Sequence, residues 1–175
     1  NGEKGVGALT GYEGVLGYRT NELTSKDYTK NKKAAEEVVR AMKRDGWSFA
    51  SHSYGHINFE KTSLEGIKRD TKRWKDEVEP IVGKTDMFVF PHGAQDRHTQ
   101  AYDYLVDEAE FKFIAGVGPN NFTDISATNV YQDRVAIDGL NLFEFKYKLK
   151  PFFNPENVYS KQDRRYFKGN RDYEE

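Results

Sequence analysis

Apolar residues along this chain alternate between short continuous runs and stretches with the three-to-four spacing of a helix, and that alternation predicts the fold. A Gly-rich opening, GVGALTGYEGVLGYRT from Gly5 to Thr20, holds apolar stretches around Val6 to Leu9 and Val15 to Tyr18 that fit a buried strand plus loop. From about Lys30 to Asp45, Ala34, Ala35, Val38, Val39 and Met42 follow helical spacing, and Gly46 stands where a helix would be capped. WSFAS, Trp47 to Ser51, reads as a short buried strand, and the polar turn SHSYGHIN follows it. Thr62-Ser63-Leu64-Glu65 matches a capping box, in which the Thr hydroxyl and the Glu carboxylate satisfy orphan backbone donors. The helix expected from there carries Leu64, Ile67, Trp74, Val78 and Ile81 on its apolar stripe and is expected to end at Pro80 and Gly83. MFVF, Met87 to Phe90, is the next strand, PHGAQDRH another polar turn, Ala101, Leu105, Val106 and Ala109 a third helix, and Lys112 to Val117 a third strand.

Strands alternating with helices at these lengths predict an α/β fold, with βα repeats around a parallel sheet or barrel. Beyond Asn120 the pattern weakens. Arg134 to Ile137 is a candidate further strand, and Leu140 to Leu149 fits strand about as well as irregular helix. Residues 1–158 are expected to form one βα domain, followed by a polar tail, 159–175, with Tyr159, Tyr166, Phe167 and Tyr173 as docking points.

Composition narrows the class. At 175 residues one core should account for most of the chain, and 25 aromatics supply large buried areas despite a mean hydropathy of −0.87. With 27 Lys and Arg against 28 Asp and Glu, the net charge of −1 gives no reason to expect a nucleic-acid partner. No run approaches the roughly 20 apolar residues of a membrane span. There is no cysteine, so disulfides, thiolate nucleophiles and Cys-ligated metals are excluded. The chain opens on Asn1 rather than Met, in a turn-like Asn-Gly-Glu-Lys-Gly, which leads us to expect a processed product or a fragment of a longer protein.

The candidate chemistry lies in the two polar turns. His52-Ser53-Tyr54-Gly55-His56 directly follows a buried strand, where α/β folds build their sites, and two imidazoles four residues apart can share one metal if the backbone turns tightly at Gly55. The same residues also fit a structural use, with His52 bonded to core backbone and His56 capping the next helix. Phe90-Pro91-His92-Gly93 follows the next strand and would lie beside the first turn, its stiff, Gly-relieved backbone able to offer a donor to an oxyanion. Its plainer use is a rigid turn with an exposed His.

Strand, H-S-x-x-H, helix, strand and P-x-G turn, in that order over residues 47–93, resemble the polysaccharide deacetylases, the carbohydrate esterase family 4 type of distorted βα barrel. The leading Gly-rich segment and AEFK at Ala109 to Lys112 suit the same family's early and late strands. The resemblance implies an enzyme that removes acetyl groups from a polysaccharide or cell-wall glycan, at a bond other than a peptide bond, with a divalent metal, usually zinc. It implies His52 and His56 as metal ligands and His92, in the place of the family's usual Tyr, as the residue whose backbone N–H helps hold the oxyanion. Tyr54, Phe90 and Pro91, next to that site, are the expected substrate contacts. It also implies a bacterial extracellular or cell-surface setting.

Three departures accompany the resemblance. Val89 stands where many members have an Arg, no His follows His98 to act as the late general acid, and no Asp precedes Asp27 to supply the first-strand aspartates, one a ligand and one the base. The expectation is therefore an incomplete barrel lacking its first strand, inactive by itself, with a companion segment or a second copy covering the open edge. His98, Asp96 and Asp138 are the substitutes considered for the missing groups. The alternative function is an inactive glycan-binding or surface-structural module on the same scaffold.

Overall fold

The alternation read from the sequence becomes a single mixed sheet backed by helices. The computed structural model describes residues 4–93, 97–118 and 122–158. In chain order it runs β1 (Gly5–Leu9), α1 (Tyr28–Arg44), β2 (Trp47–Ser51), α2 (Leu64–Glu77), α3 (Glu79–Val82) and β3 (Met87–Val89). There follow a 3₁₀ turn (Pro91–Gly93), α4 (Gln100–Asp103) continued by a wider turn to Glu108, β4 (Phe113–Val117), β5 (Thr123–Ile125), β6 (Val130–Arg134), and the short helices α5 (Gly139–Phe143), α6 (Lys146–Leu149) and α7 (Pro155–Val158). The strand order is β1-β2-β3-β4-β6-β5, parallel throughout except for β5 against β6. Among the described residues β1 pairs only with β2 and β5 only with β6, so the sheet is an open, incomplete version of a distorted βα barrel.

Several local expectations shift. The cap of α2 sits one residue later than the capping-box reading. Ser63 Oγ accepts from the Gly66 N–H at 3.3 Å, while the Thr62 hydroxyl donates to the Asn58 carbonyl at 2.7 Å. Pro80 does not stop the helix but falls in the first turn of α3, where its missing N–H has no partner to lose, and Gly83, at φ +82°, ends the pair. The late strand is Val130–Arg134, not Arg134 to Ile137, and Leu140 to Leu149 resolves into α5 and α6. The expected tail, 159–175, lies outside the described residues.

Helices α1, α2, α3 and α4 pack on the sheet, and aromatics fill the space between. Phe59, Phe88 and Phe90 meet edge to face with centroids 5.1–5.3 Å apart, in a cluster that also holds Ile67, Leu105, Phe111, Ile114 and Tyr131. A second cluster packs α1 on the sheet through Ala35, Val39, Phe49, Trp74, Val78 and Val82. Helix α2 joins the two, giving Ile67 to one and Trp74 to the other. No described helix is long and apolar enough to cross a membrane.

For the site, the decisive consequence is the parallel direction. Strands β1 to β4 all end on one rim, so the turns after β2 and β3, which hold all the histidines singled out above for a site, emerge side by side.

Candidate metal centre

His52 is the first residue past β2, and its backbone still follows the sheet, its N–H donating to the Leu9 carbonyl at 2.9 Å. Its ring crosses to the neighbouring strand, where Nδ1 donates to the Val89 carbonyl at 2.7 Å. A carbonyl can only accept, so the proton is fixed on Nδ1 and Nε2 is left as the basic nitrogen. This is the tautomer, and the kind of outer contact, that metal-ligating histidines use.

Burial lowers the His52 pKa below 6.5. The hydrogen bond to Val89 opposes this, and His56, Arg134 and His92 add to the lowering. In the metal-free protein an NMR titration should place His52 below 6.5, with the ring neutral at pH 7. Because the folded pKa lies below the unfolded one, its contribution to stability is complete above the unfolded value of 6.5 and is lost as pH falls from there through the folded value.

The rest of the turn bends sharply. Ser53 and His56 both take left-handed backbone angles, at φ +57° and +53°, and the Ser53 hydroxyl accepts the Ile57 N–H at 3.1 Å to close the turn. This conformation brings the His56 ring back to His52, with centroids 4.9 Å apart and planes at 72°. His92 arrives from the 3₁₀ turn, itself at φ +58°, with its ring 4.4 Å from that of His56 and its Nε2 donating to the His56 carbonyl at 3.1 Å. Gly93 follows at φ +67°, packed so closely on Val117 that a Cβ there would collide with that side chain. The three imidazoles named from the sequence are thus gathered by two adjacent turns.

A fourth participant was not foreseen. Asp70, on α2, accepts the Tyr54 N–H at 2.7 Å through Oδ1 and the Gly55 N–H at 2.8 Å through Oδ2, gripping the middle of the two-histidine turn. Burial raises its pKa, against the lowering effect of the Gly55 and Tyr54 N–H groups, the Ser53 hydroxyl and Arg73. The sequence did carry a signal. Asp70 stands three residues after Ile67 and four before Trp74, inside the apolar stripe of α2, where a carboxylate needs donors.

The expected substrate contacts are all buried. Tyr54 is only 4% exposed, its hydroxyl donating to Glu77 at 2.7 Å and its ring lying 4.0 Å from the Arg73 guanidinium. Burial first, and the carboxylate of Glu77 second, push its pKa up to about 12. Phe90 is 2% exposed in the aromatic core, and Pro91 is buried. Tyr54 and Phe90 belong to the two core clusters, and Pro91 is buried in the 3₁₀ turn.

The rim beyond β1 lies against the same turn, Gly11 and Tyr12 both donating to the Tyr54 carbonyl, at 2.9 and 3.0 Å. The one carboxylate between Leu9 and Arg19 is Glu13, which is exposed. From the far side Arg134, on β6, donates to the Phe90 and Gly116 carbonyls at 2.9 and 3.1 Å, bringing a guanidinium toward the rim where Val89 offers none. Of the substitute groups, Asp138 caps α5 by accepting from the Asn141 N–H at 2.8 Å, His98 is exposed, and Asp96 lies outside the described residues.

The donor set therefore suits a divalent cation in part. Two neighbouring imidazoles, one with its tautomer fixed, form half of a site of the kind zinc prefers. Among the described residues no set of three His, Asp or Glu groups could hold a metal, and His92 commits Nε2 to the His56 carbonyl.

A mostly parallel open sheet with paired histidines on its carboxyl rim defines a βα scaffold, and comparison with known proteins identifies which family it belongs to. The polysaccharide deacetylase profile matches residues 23–110, half of the chain, and the chain belongs to that family. The match covers α1, the histidine turns and α4. A Mycobacterium smegmatis protein assigned to the polysaccharide deacetylases superposes with a TM-score of 0.50 at 13% identity, over 75% of this chain and 40% of its own. A second structure, T48 deacetylase with substrate, has a TM-score of 0.41 at 19% identity, over 69% of this chain and 60% of its own. The chain thus spans less than two thirds of either protein. No curated protein matches it.

Proposed function

We propose that this chain is the histidine-bearing part of a metal-dependent hydrolase that removes acetyl groups from a glycan, acting at the cell surface. Family membership supports the deacetylase chemistry. The observation that carries the metal dependence is the His52 ring, locked by the Val89 carbonyl with its other nitrogen basic, beside the ring of His56.

In this reading His52 and His56 hold the cation, and a carboxylate from outside the described residues completes its ligands and supplies the base. A cation held there supplies Lewis acidity, polarising an acyl oxygen and acidifying water. The chain's own groups do the rest. Val89 fixes the proton of His52 on Nδ1. The backbone N–H of His92 serves as donor to the developing oxyanion, its ring anchored on the His56 carbonyl. Arg134 adds positive charge at the rim.

The test is acetate release from acetylated chito-oligosaccharides by the full-length protein. Release that stops with chelator and returns with zinc is the expected result. Absence of release under all conditions, with glycan binding retained, would instead support the binding-module reading, which the lack of a third described ligand favours.

A further inference from the structure

We infer that Asp70 is a positioning residue for the metal centre, holding the turn between His52 and His56 in the one shape that lets their rings meet. This inference rests on the metal-dependent reading and deepens it by naming the group that builds the site.

The turn leaves the sheet at His52 and must return within four residues. It does so through left-handed angles at Ser53 and His56, neither of which is glycine. Such angles are disfavoured for residues with a Cβ and persist where the surroundings impose them. At the centre of the turn Gly11 and Tyr12 hold the Tyr54 carbonyl, and the Asp70 carboxylate holds the N–H groups. It spans consecutive N–H groups, Tyr54 at 2.7 Å and Gly55 at 2.8 Å, one to each oxygen. Gly55 approaches so closely that a Cβ there would lie 3.2 Å from Oδ2. A two-pronged anion on two successive amides fixes both peptide planes, and with them the direction in which the chain enters His56.

Asp70 is itself well placed to be rigid. It rises from α2 between Ile67 and Trp74, 1% and 0% exposed, so its backbone is set by the core rather than by the turn. The side chains beside it are already occupied. Glu77 binds the Tyr54 hydroxyl and Arg73, and Arg73 lies over the Tyr54 ring. Asp70 touches neither imidazole in any hydrogen bond, so it acts on the cation through the turn.

Asparagine keeps the size of Asp70 but replaces one oxygen by an NH₂ group, which faces an N–H donor and cannot accept from it. The experiment compares wild type, Asp70→Asn and Asp70→Glu in the full chain by three readouts: thermal melting, NMR cross-peaks between the His52 and His56 rings, and titration with Co²⁺. Folded Asp70→Asn is expected to lose the ring-to-ring cross-peaks and to bind Co²⁺ about 10- to 100-fold more weakly, as loss of an outer-shell partner does. Asp70→Glu, with both oxygens and the charge, should recover part of each.

Retained cross-peaks together with a Co²⁺ affinity within twofold of wild type in a folded Asp70→Asn would overturn the inference. Wild-type protein that takes up no Co²⁺ while Asp70→Asn still loses the cross-peaks would sink the metal reading and uphold the role of Asp70 in the turn. If Asp70→Asn does not fold, amide exchange in the wild type decides. Tyr54 and Gly55 amides protected about 100-fold over unstructured rates support the grip, and unprotected amides refute it.

Discussion

Replacing His52 and His56 together by alanine is expected to lower zinc affinity by at least about a hundredfold, since both imidazoles of the proposed site are lost and removal of even an outer-shell partner of a metal ligand costs about 10- to 100-fold. The fold should survive. Both rings are only partly buried, at the rim rather than in the core, and the one side-chain hydrogen bond that His52 loses is to the Val89 carbonyl. Isothermal titration with zinc and a thermal melt on the same samples separate the two effects. Unchanged zinc stoichiometry in the double variant would mean that the cation sits elsewhere, and acetate release by the full-length protein should fall with the affinity.

Trp74→Ala is expected to cost the most stability of any single truncation, about 3–5 kcal/mol by urea denaturation. The indole is wholly buried in the cluster under α1, and its Nε1–H donates to the Leu9 carbonyl at 2.8 Å. That carbonyl also accepts the His52 N–H, so the same atom ties the end of β1 both to α2 and to the start of the histidine turn. Trp74→Phe keeps most of the volume but not the N–H, and should cost about 1–2 kcal/mol. A loss below about 1 kcal/mol for Trp74→Ala would show that the core is not organised around this side chain.

The parts of the fold legible in the sequence were those set by local patterning. WSFAS forms β2 with the boundaries the apolar run implied, α1 follows its helical spacing, and strand, histidine turn and helix follow one another in the order read from the sequence. What the sequence left open depends on contacts far along the chain. β6 has only Tyr131 deeply buried, in a strand that alternates weakly, and it is held by pairing with β4 and β5 rather than by its own pattern. Tyr54 and Phe90 are adjacent to the histidines in sequence, yet both rings are buried in the core clusters, a placement set by contacts far along the chain. Asp70 reaches the site only because α2 packs back over the turn, fifteen residues from Gly55. The general signal was a charge on a buried stripe.

The carboxyl rim explains why these pieces cooperate. Leu9, Val89 and Tyr54 each offer a backbone carbonyl to a group on a neighbouring element, so β1, β2 and β3 are stitched together where the histidines emerge. The site is built on sheet ends and a helix, with its turns held by hydrogen bonds rather than left to the loops alone.

The most direct test of the metal centre is X-ray absorption at the zinc edge on the full-length protein loaded with one equivalent of zinc. Two imidazole nitrogens at about 2.0–2.1 Å, with the remaining ligands oxygen, is the result these residues predict. An all-oxygen shell with no imidazole scattering would contradict it.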